Sequence, residues 1–143
     1  IRGEGTSNSY FPPEVPSLPA FSVQRAASHV IRNRSKDYWT GTVYTTNRRV
    51  WEHDNAFKDY LEEIRAMAID METATLFSAA FKNHIPLGAI LLVSDQPMVP
   101  EGVKTDESDK KVTSNYVNTH IEIGIETLEE IKNEGLSVRH LKF

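Results

Sequence analysis

Two carboxylates, Glu72 and Asp95, are the side chains of this sequence best placed to do chemistry. Glu72 follows the short apolar stretch 68–70 and opens a helical stretch, whereas Asp95 ends the strongly apolar stretch 87–93. If both apolar stretches are neighbouring strands of an α/β sheet, the carboxylates lie at the carboxyl ends of those strands, where such sheets bind ligands. In that crevice an ionised carboxylate can accept hydrogen bonds from hydroxyl groups, and a protonated carboxyl group can donate its proton.

The positions of these two side chains depend on a predicted alternation of helices and strands. Apolar residues recur at helical spacing over 19–34 and 54–65, and the aromatic and β-branched stretch 39–45 predicts a strand. Further helices are predicted over 71–84 and 108–133. This alternation favours an α/β domain with a mostly parallel sheet.

Further predictions concern a helix cap, a buried strand, a loop and the C-terminal tail. Ser17 is expected to cap the helix over 19–34. The continuous apolar stretch 87–93 predicts a strand covered on both faces. The loop 96–107 is long enough to act as a lid, and the tail 136–143 is expected to add an edge strand or a subunit contact.

Composition restricts the class of function. The 143 residues, 39% of them hydrophobic, suffice for one domain or part of one. With 16 basic and 20 acidic residues, the charge disfavours nucleic acid or an anionic membrane as a partner and favours a small ligand. No apolar run approaches the roughly 18 residues of a transmembrane helix. The absence of cysteine is compatible with a cytoplasmic location, which we predict.

The sequence predicts neither a metal site nor a cofactor. Its 5 histidines lie far apart without metal-binding spacing, and it has no thiols. It also lacks a GxSxG elbow, a P-loop and a GxGxxG motif, so a serine hydrolase, an NTPase and a dinucleotide-binding protein have no support.

Several ordered motifs together resemble the nucleoside phosphorylase and nucleosidase superfamily, and most closely its AMP nucleosidase branch. They are IDMETAT, VSDQP, RGEGTSNSYFPPEVPSLPAF near the start, GTVYTTNRRVWE in the middle and PMVPEGVKTDESDKKVT after the aspartate. The resemblance implies a three-layer α/β/α fold with a mixed, mostly parallel central sheet. It also implies that residues 1–143 are the C-terminal portion of one catalytic domain. A further N-terminal segment, with the first strands and a glycine-rich anion loop, is then expected.

The resemblance implies hydrolysis of AMP to adenine and ribose 5-phosphate. Asp95 is then the general acid that protonates N7 of the leaving adenine. Glu72 accepts hydrogen bonds from the ribose 2′ and 3′ hydroxyls, and Met71 packs against the sugar or the base. Each residue also has a structural alternative: a turn cap for Asp95, a helix N-terminal acid for Glu72 and a core side chain for Met71.

The turn after strand 39–45 is expected to contact the base. Related phosphorylases place an aromatic residue there, but this sequence has Arg49 at that position and its aromatic residue at Trp51. Asn47, Arg49 and Trp51 are therefore predicted to bind substrate, the alternative being a solvated turn with surface arginines. A 5′-phosphate requires Arg, Lys or backbone N–H groups. The cations that spacing leaves equally possible are Arg2, Arg48, Lys104, Lys110 and Lys111.

Two other functions stay open at this point. A purine nucleoside phosphorylase would use the same carboxylates with inorganic phosphate as nucleophile, and its anion loop would lie in the expected N-terminal segment. A non-catalytic nucleotide-binding or oligomerisation module would keep the fold and sense a ligand. The resemblance further implies a homo-oligomer in which a neighbouring subunit completes each site.

Overall fold

The computed structural model describes residues 1–99, 102 and 105–134. Within these ranges the helices and strands are α1 (Phe21–Asn33), β1 (Thr42–Thr45), α2 (Asn55–Glu63), β2 (Ala66–Asp70), α3 (Thr73–Lys82) and α4 (Asp106–Asn133), with short 3₁₀ turns at Thr6–Ser9 and Trp51–His53. Helices that alternate with parallel strands confirm the predicted α/β class. The tail 136–143, for which an edge strand or a subunit contact was expected, lies outside the described residues.

The sheet is parallel, and its strands end together. Thr45 and Asp70, the last residues of β1 and β2, pair directly. On the other flank of β1, Thr45 N–H donates to the Ile1 carbonyl at 3.2 Å, and the Thr45 carbonyl accepts from Glu4 N–H at 3.4 Å. An isolated parallel bridge joins Arg2 to Thr45. Three chain segments therefore leave the sheet at one end, which we call the carboxyl end.

A cluster of aromatic and aliphatic side chains holds β1 against α2. Tyr44, Phe57 and Leu61 are buried together, and the rings of Tyr44 and Phe57 meet edge to face with centroids 5.7 Å apart. α2 begins at this cluster because the Asp54 side chain accepts a hydrogen bond from Phe57 N–H at 3.0 Å. The cluster fixes the strand that leads to the carboxyl end.

A second cluster joins α1 to α4. Val30 packs against Ile123, and the Arg34 guanidinium spans from Glu126, at 2.6 and 2.8 Å, to Glu122, at 2.9 Å. Hydrogen bonds from Arg34 lower the pKa of Glu126. Since exposed ion pairs add little stability, these contacts serve mainly to align the two helices.

The strand predicted over 87–93 is wrong for the described chain. A strand needs a neighbour that bonds its N–H and C=O groups, and within the described ranges 87–93 has no strand assignment. The Leu87 carbonyl instead accepts from Ala20 N–H at 2.7 Å, at the start of α1. Ile90 packs against the α1–α4 cluster, whereas Val93 is 56% exposed.

The predicted cap of the first helix is also wrong. α1 begins at Phe21, after Ala20, and has no side-chain cap. The Ser17 hydroxyl instead donates to the Ala74 carbonyl at 3.4 Å and lies 3.3 Å from the Ser78 hydroxyl. Ser17 therefore fastens the long N-terminal loop to α3, because buried polar atoms on that helix offer it partners that α1 does not.

Candidate active site

The turn that follows β2 is closed by hydrogen bonds. The Asp70 carboxylate accepts from the Thr45 hydroxyl at 2.6 Å, from Thr73 N–H at 2.7 Å, and from the Thr73 hydroxyl. The Thr45 hydroxyl in turn accepts from Ala74 N–H at 3.0 Å. A side-chain oxygen bonded to the N–H three residues later is a helix-capping arrangement, so α3 starts directly at the carboxyl end. We call these four residues the Asp70 cluster.

Met71 and Glu72 lie in this turn with their side chains accessible. Met71 is 43% exposed, and Glu72 is exposed at the N-cap position of α3 without a side-chain cap bond. Glu72 Oε2 accepts from Met71 N–H at 3.2 Å, and among the residues that the structure describes no hydrogen bond engages Oε1. The turn presents a thioether and a carboxylate side by side at the carboxyl end.

The loop after β1 contains a second network, built around Glu4 and Arg48. Glu4 accepts from the Thr46 hydroxyl at 2.8 Å and from Arg48 Nε at 2.9 Å. Arg48 also donates to Asp54 at 3.1 Å and lies 4.3 Å from the centroid of the Phe57 ring. Burial raises the pKa of Glu4, but the bonds from Thr46 and Arg48 outweigh it, so the pKa lies below its ordinary value. The charge of Arg48 is thus engaged within the protein.

The other residues predicted to bind substrate lie along the same loop. Asn47 and Arg49 are exposed. Trp51 packs against the core, its ring meeting Phe57 edge to face at 6.2 Å between centroids. Asn47 reaches the same carboxyl end as Glu72, since it follows the paired ends of β1 and β2.

Asp95 is held differently. Its Oδ1 accepts from the Ser94 hydroxyl at 2.5 Å. The loop then doubles back, with Gln96 N–H donating to the Gly102 carbonyl at 2.8 Å, and a Cβ on Gly102 would overlap the Gln96 carbonyl oxygen. Across residues 1–99, 102 and 105–134, no hydrogen bond joins Asp95 to Glu72. The chain order therefore places Asn47, Met71 and Glu72 just after the paired ends of β1 and β2, whereas the side chain of Asp95 is bonded to its neighbour Ser94.

The sequence interpretation assigned no role to Asp70 and overlooked Thr45 and Thr73. An aspartate just before a predicted helix is a helix-start signal, and it could have singled out Asp70. Thr45 carries no such signal, because its contact with Asp70 joins residues 25 positions apart.

In the described part of the chain, no group of three or more His, Cys, Asp or Glu side chains could hold a metal ion. Within the same part, no helix is long and apolar enough to cross a membrane.

The sequence and the structure both have relatives among known proteins. A family model described as Phosphorylase superfamily matches residues 1–129. An AMP nucleosidase of Escherichia coli strain K12 is 31% identical over 146 residues, which span 94% of this chain and 30% of that protein. The crystal structure of an AMP nucleosidase from Bacteroides thetaiotaomicron VPI-5482 is 57% identical with a TM-score of 0.78, over 94% of this chain and 53% of that one. A uridine phosphorylase of Treponema pallidum is 29% identical over 103 residues, 65% of this chain and 40% of that protein.

Proposed function

The chain belongs to the phosphorylase superfamily, and from that premise we propose that this protein hydrolyses the N-glycosidic bond of AMP to give adenine and ribose 5-phosphate. The resemblance that the motifs predicted is confirmed by the two AMP nucleosidases, and so is the nucleoside phosphorylase-like fold. The observation that carries the proposal is the accessible Met71–Glu72 turn at the carboxyl end of paired parallel strands, where α/β sheets bind ligands.

Glu72 is proposed to bind the ribose. An ionised carboxylate can accept hydrogen bonds from two adjacent hydroxyls, and Glu72 keeps Oε1 and its remaining lone pairs available. The same negative charge stabilises the cationic ribose that forms as the bond to the base breaks. Met71 beside it offers an apolar face for the sugar or the base.

Asp95 is proposed as the acid that protonates the departing adenine. Its partner, the Ser94 hydroxyl, can donate to an ionised carboxylate or accept from a protonated one. That hydroxyl therefore supports Asp95 before and after proton transfer. Departure of adenine leaves a negative charge on the ring, which a proton on N7 neutralises.

Of the arginines near the carboxyl end, Arg49 is proposed to meet the charged part of the nucleotide. Arg48 is engaged by Glu4 and Asp54, and Arg2 donates to the carbonyls of Phe11 and Pro12. The side chain of Arg49 is exposed. We further propose that the exposed amide of Asn47 contacts the base and that Trp51 supports this loop from the core side.

A phosphorolytic reaction is the second candidate function. The observation in its favour is the 29% identity to a uridine phosphorylase. The carboxylates would keep their roles, and inorganic phosphate would replace water as the nucleophile that attacks the ribose. The proposal of hydrolysis is supported by the higher identity, 57%, to an AMP nucleosidase.

A further polypeptide segment is proposed to complete the domain, of which 1–143 would form the C-terminal portion. The chain spans 53% of the solved AMP nucleosidase. Apolar side chains also lie exposed beside the site, among them Leu91, Leu92 and Val93, and such a patch in a soluble enzyme is normally covered. We also propose a homo-oligomer in which a neighbouring subunit completes each site. The cytoplasmic location of the protein stays a prediction.

Product analysis of the full-length protein tests these alternatives. Incubation with AMP, with and without inorganic phosphate, is followed by chromatographic separation of adenine, ribose 5-phosphate and ribose 1,5-bisphosphate. We expect adenine and ribose 5-phosphate at full rate without phosphate. Adenine that appears only with phosphate would favour phosphorolysis. Binding of AMP without any cleavage would favour a non-catalytic module.

A further inference from the structure

Asp70 joins the ends of both strands to the first turn of α3. Its carboxylate accepts hydrogen bonds from the Thr45 hydroxyl at 2.6 Å and from Thr73 N–H at 2.7 Å. Its backbone carbonyl accepts from Thr46 N–H at 2.9 Å. Contacts from β1, β2 and α3 therefore converge on this residue.

The residues bonded to Asp70 or to the Thr45 hydroxyl are buried. Thr45 is 3% exposed and Ala74 is 2% exposed, and Thr73 is also buried. The Thr45 hydroxyl is used twice, because it donates to Asp70 and accepts from Ala74 N–H. A buried network whose donors and acceptors are paired in this way holds one geometry, since a rearrangement would leave a polar group without a partner.

This geometry bears directly on Glu72. The hydrogen bond from Thr73 N–H to Asp70 closes a ring of backbone that contains Met71 and Glu72. Without that bond the Thr73 N–H in the first turn of α3 has lost its partner, and the turn frays. The Glu72 carboxylate then moves, and a displacement of about 1 Å in a reacting constellation can reduce the rate about 100-fold.

We propose that Asp70, held by Thr45, is the positioning residue for Glu72, an inference that rests on the proposed role of Glu72 in ribose binding. The Asp70 oxygens face donors from Thr45 and Thr73 and not the substrate. Asp70 sets where the Glu72 carboxylate meets the ribose hydroxyls. Thr45 couples that position to the end of β1, from which Asn47 leaves.

The test begins with variants of the full-length protein that separate the effect of the Thr45 hydroxyl from the effect of the side-chain shape. Thr45→Val keeps the shape and removes the hydroxyl, whereas Thr45→Ser keeps the hydroxyl. Asp70→Asn replaces one acceptor oxygen by a donor group. Thr127→Val is the matched control, because Thr127 is a buried threonine on α4 whose hydroxyl donates to the Ile123 carbonyl of its own helix.

The expected kinetics follow from the hydrogen bonds. We expect kcat/KM for AMP to fall about 10- to 100-fold in Thr45→Val and Asp70→Asn. It should stay within about 3-fold of wild type in Thr45→Ser and Thr127→Val. An equal loss in Thr45→Val and Thr127→Val would overturn the inference, since it would reflect general damage to the fold.

A double-mutant cycle with Glu72→Gln separates positioning from stability. If Asp70 acts through Glu72, Asp70→Asn should cost less than about 3-fold once Glu72 has been replaced. A loss in the Glu72→Gln background as large as in wild type would show that the effects are independent, and it would overturn the inference.

Amide hydrogen exchange gives a readout that does not need turnover. In Asp70→Asn we expect exchange at Thr73 and Ala74 to accelerate at least about 10-fold while α4 keeps its protection. Unchanged protection at these amides would overturn the inference. Failure of the wild-type protein to cleave AMP would overturn the proposed function alone, and the exchange comparison would still decide whether Asp70 holds this turn.

Discussion

The two carboxylates proposed to act on one substrate are supported in different ways. Glu72 lies in a turn whose hydrogen bonds come from β1, β2 and α3, all within the described chain. Asp95 follows a stretch that belongs to no strand there, and its side-chain bond is to the adjacent Ser94. Glu72 is thus held by hydrogen bonds among three elements of the fold, whereas the described contacts of the Asp95 side chain are local to its own loop.

The two carboxylates owe their positions to different contacts. The Glu72 turn is satisfied by buried partners, among them Thr45 and Ala74, so its position follows from this chain. The stretch before Asp95 leaves Val93 more than half exposed. We therefore infer that the position of Asp95 in the proposed enzyme depends on contacts with the proposed further segment or the proposed neighbouring subunit.

The largest expected effect comes from replacing the carboxylate on the local support. Asp95→Asn keeps the shape and removes the transferable proton, so kcat for AMP should fall by about 10² to 10⁴. Steady-state kinetics on the full-length protein measure this. Asp59→Asn, a change at an exposed aspartate on α2, is the control and should leave kcat unchanged. Near-wild-type turnover by Asp95→Asn would remove Asp95 from the mechanism.

The stretch before Asp95 offers a test of whether it is covered in the full-length protein. Val93→Ser should lower the free energy of unfolding by about 2 kcal/mol if Val93 is buried there. Val50→Ser, a matched change at a valine that is 69% exposed, should cost less than about 0.5 kcal/mol. Urea denaturation measures both. Equal small losses would mean that Val93 is exposed in the full-length protein. The position of Asp95 would then not depend on a covering segment.

The same contrast explains what could be predicted from the sequence. The helices and β2 follow from apolar spacing and local chemistry, although α3 begins at Thr73, two residues after the predicted start of the helix over 71–84. The stretch 87–93 could not be assigned from its apolar character, because a continuous apolar run marks burial and not a hydrogen-bonded neighbour. The partner of Asp70, Thr45, was missed for a related reason: the contact depends on how two strands align.

The adjacent residues Arg48 and Arg49 are expected to have different roles, Arg48 in stability and Arg49 in substrate binding. Arg48→Ala removes bonds to Glu4 and Asp54 and a contact with the Phe57 ring, so the free energy of unfolding should fall by about 1 kcal/mol. Arg49→Ala should leave stability unchanged and raise KM for AMP about 10-fold, because it removes a cation from the substrate side.

Thermal denaturation and steady-state kinetics on both variants decide the assignment. Adenosine, which lacks the phosphate, should show no change in KM with Arg49→Ala. A rise in KM for adenosine as large as that for AMP would place Arg49 at the base or the sugar. If Arg48→Ala alone raised KM for AMP, the proposed roles of the two arginines would be reversed.

The smallest effect concerns the pH dependence of the support itself. Burial raises the pKa of Glu4, but the hydrogen bonds from Thr46 and Arg48 bring it below the ordinary value of 4.5. A carboxylate whose pKa is lower in the folded state stabilises the fold at pH values above 4.5, and this contribution is lost as the pH falls through the folded-state pKa.

Glu4→Gln removes that titration. Wild type should therefore be the more stable protein at neutral pH, and the difference should shrink as the solution is acidified below pH 4.5. Unfolding midpoints in urea between pH 3 and pH 7, roughly the range over which a glutamate titrates, measure it. Glu63→Gln, at an exposed glutamate on α2, is the control and should follow wild type. A difference between wild type and Glu4→Gln that did not vary with pH would mean that Glu4 contributes through its shape and not through its charge. The ion pair with Arg48 would then not stabilise the fold.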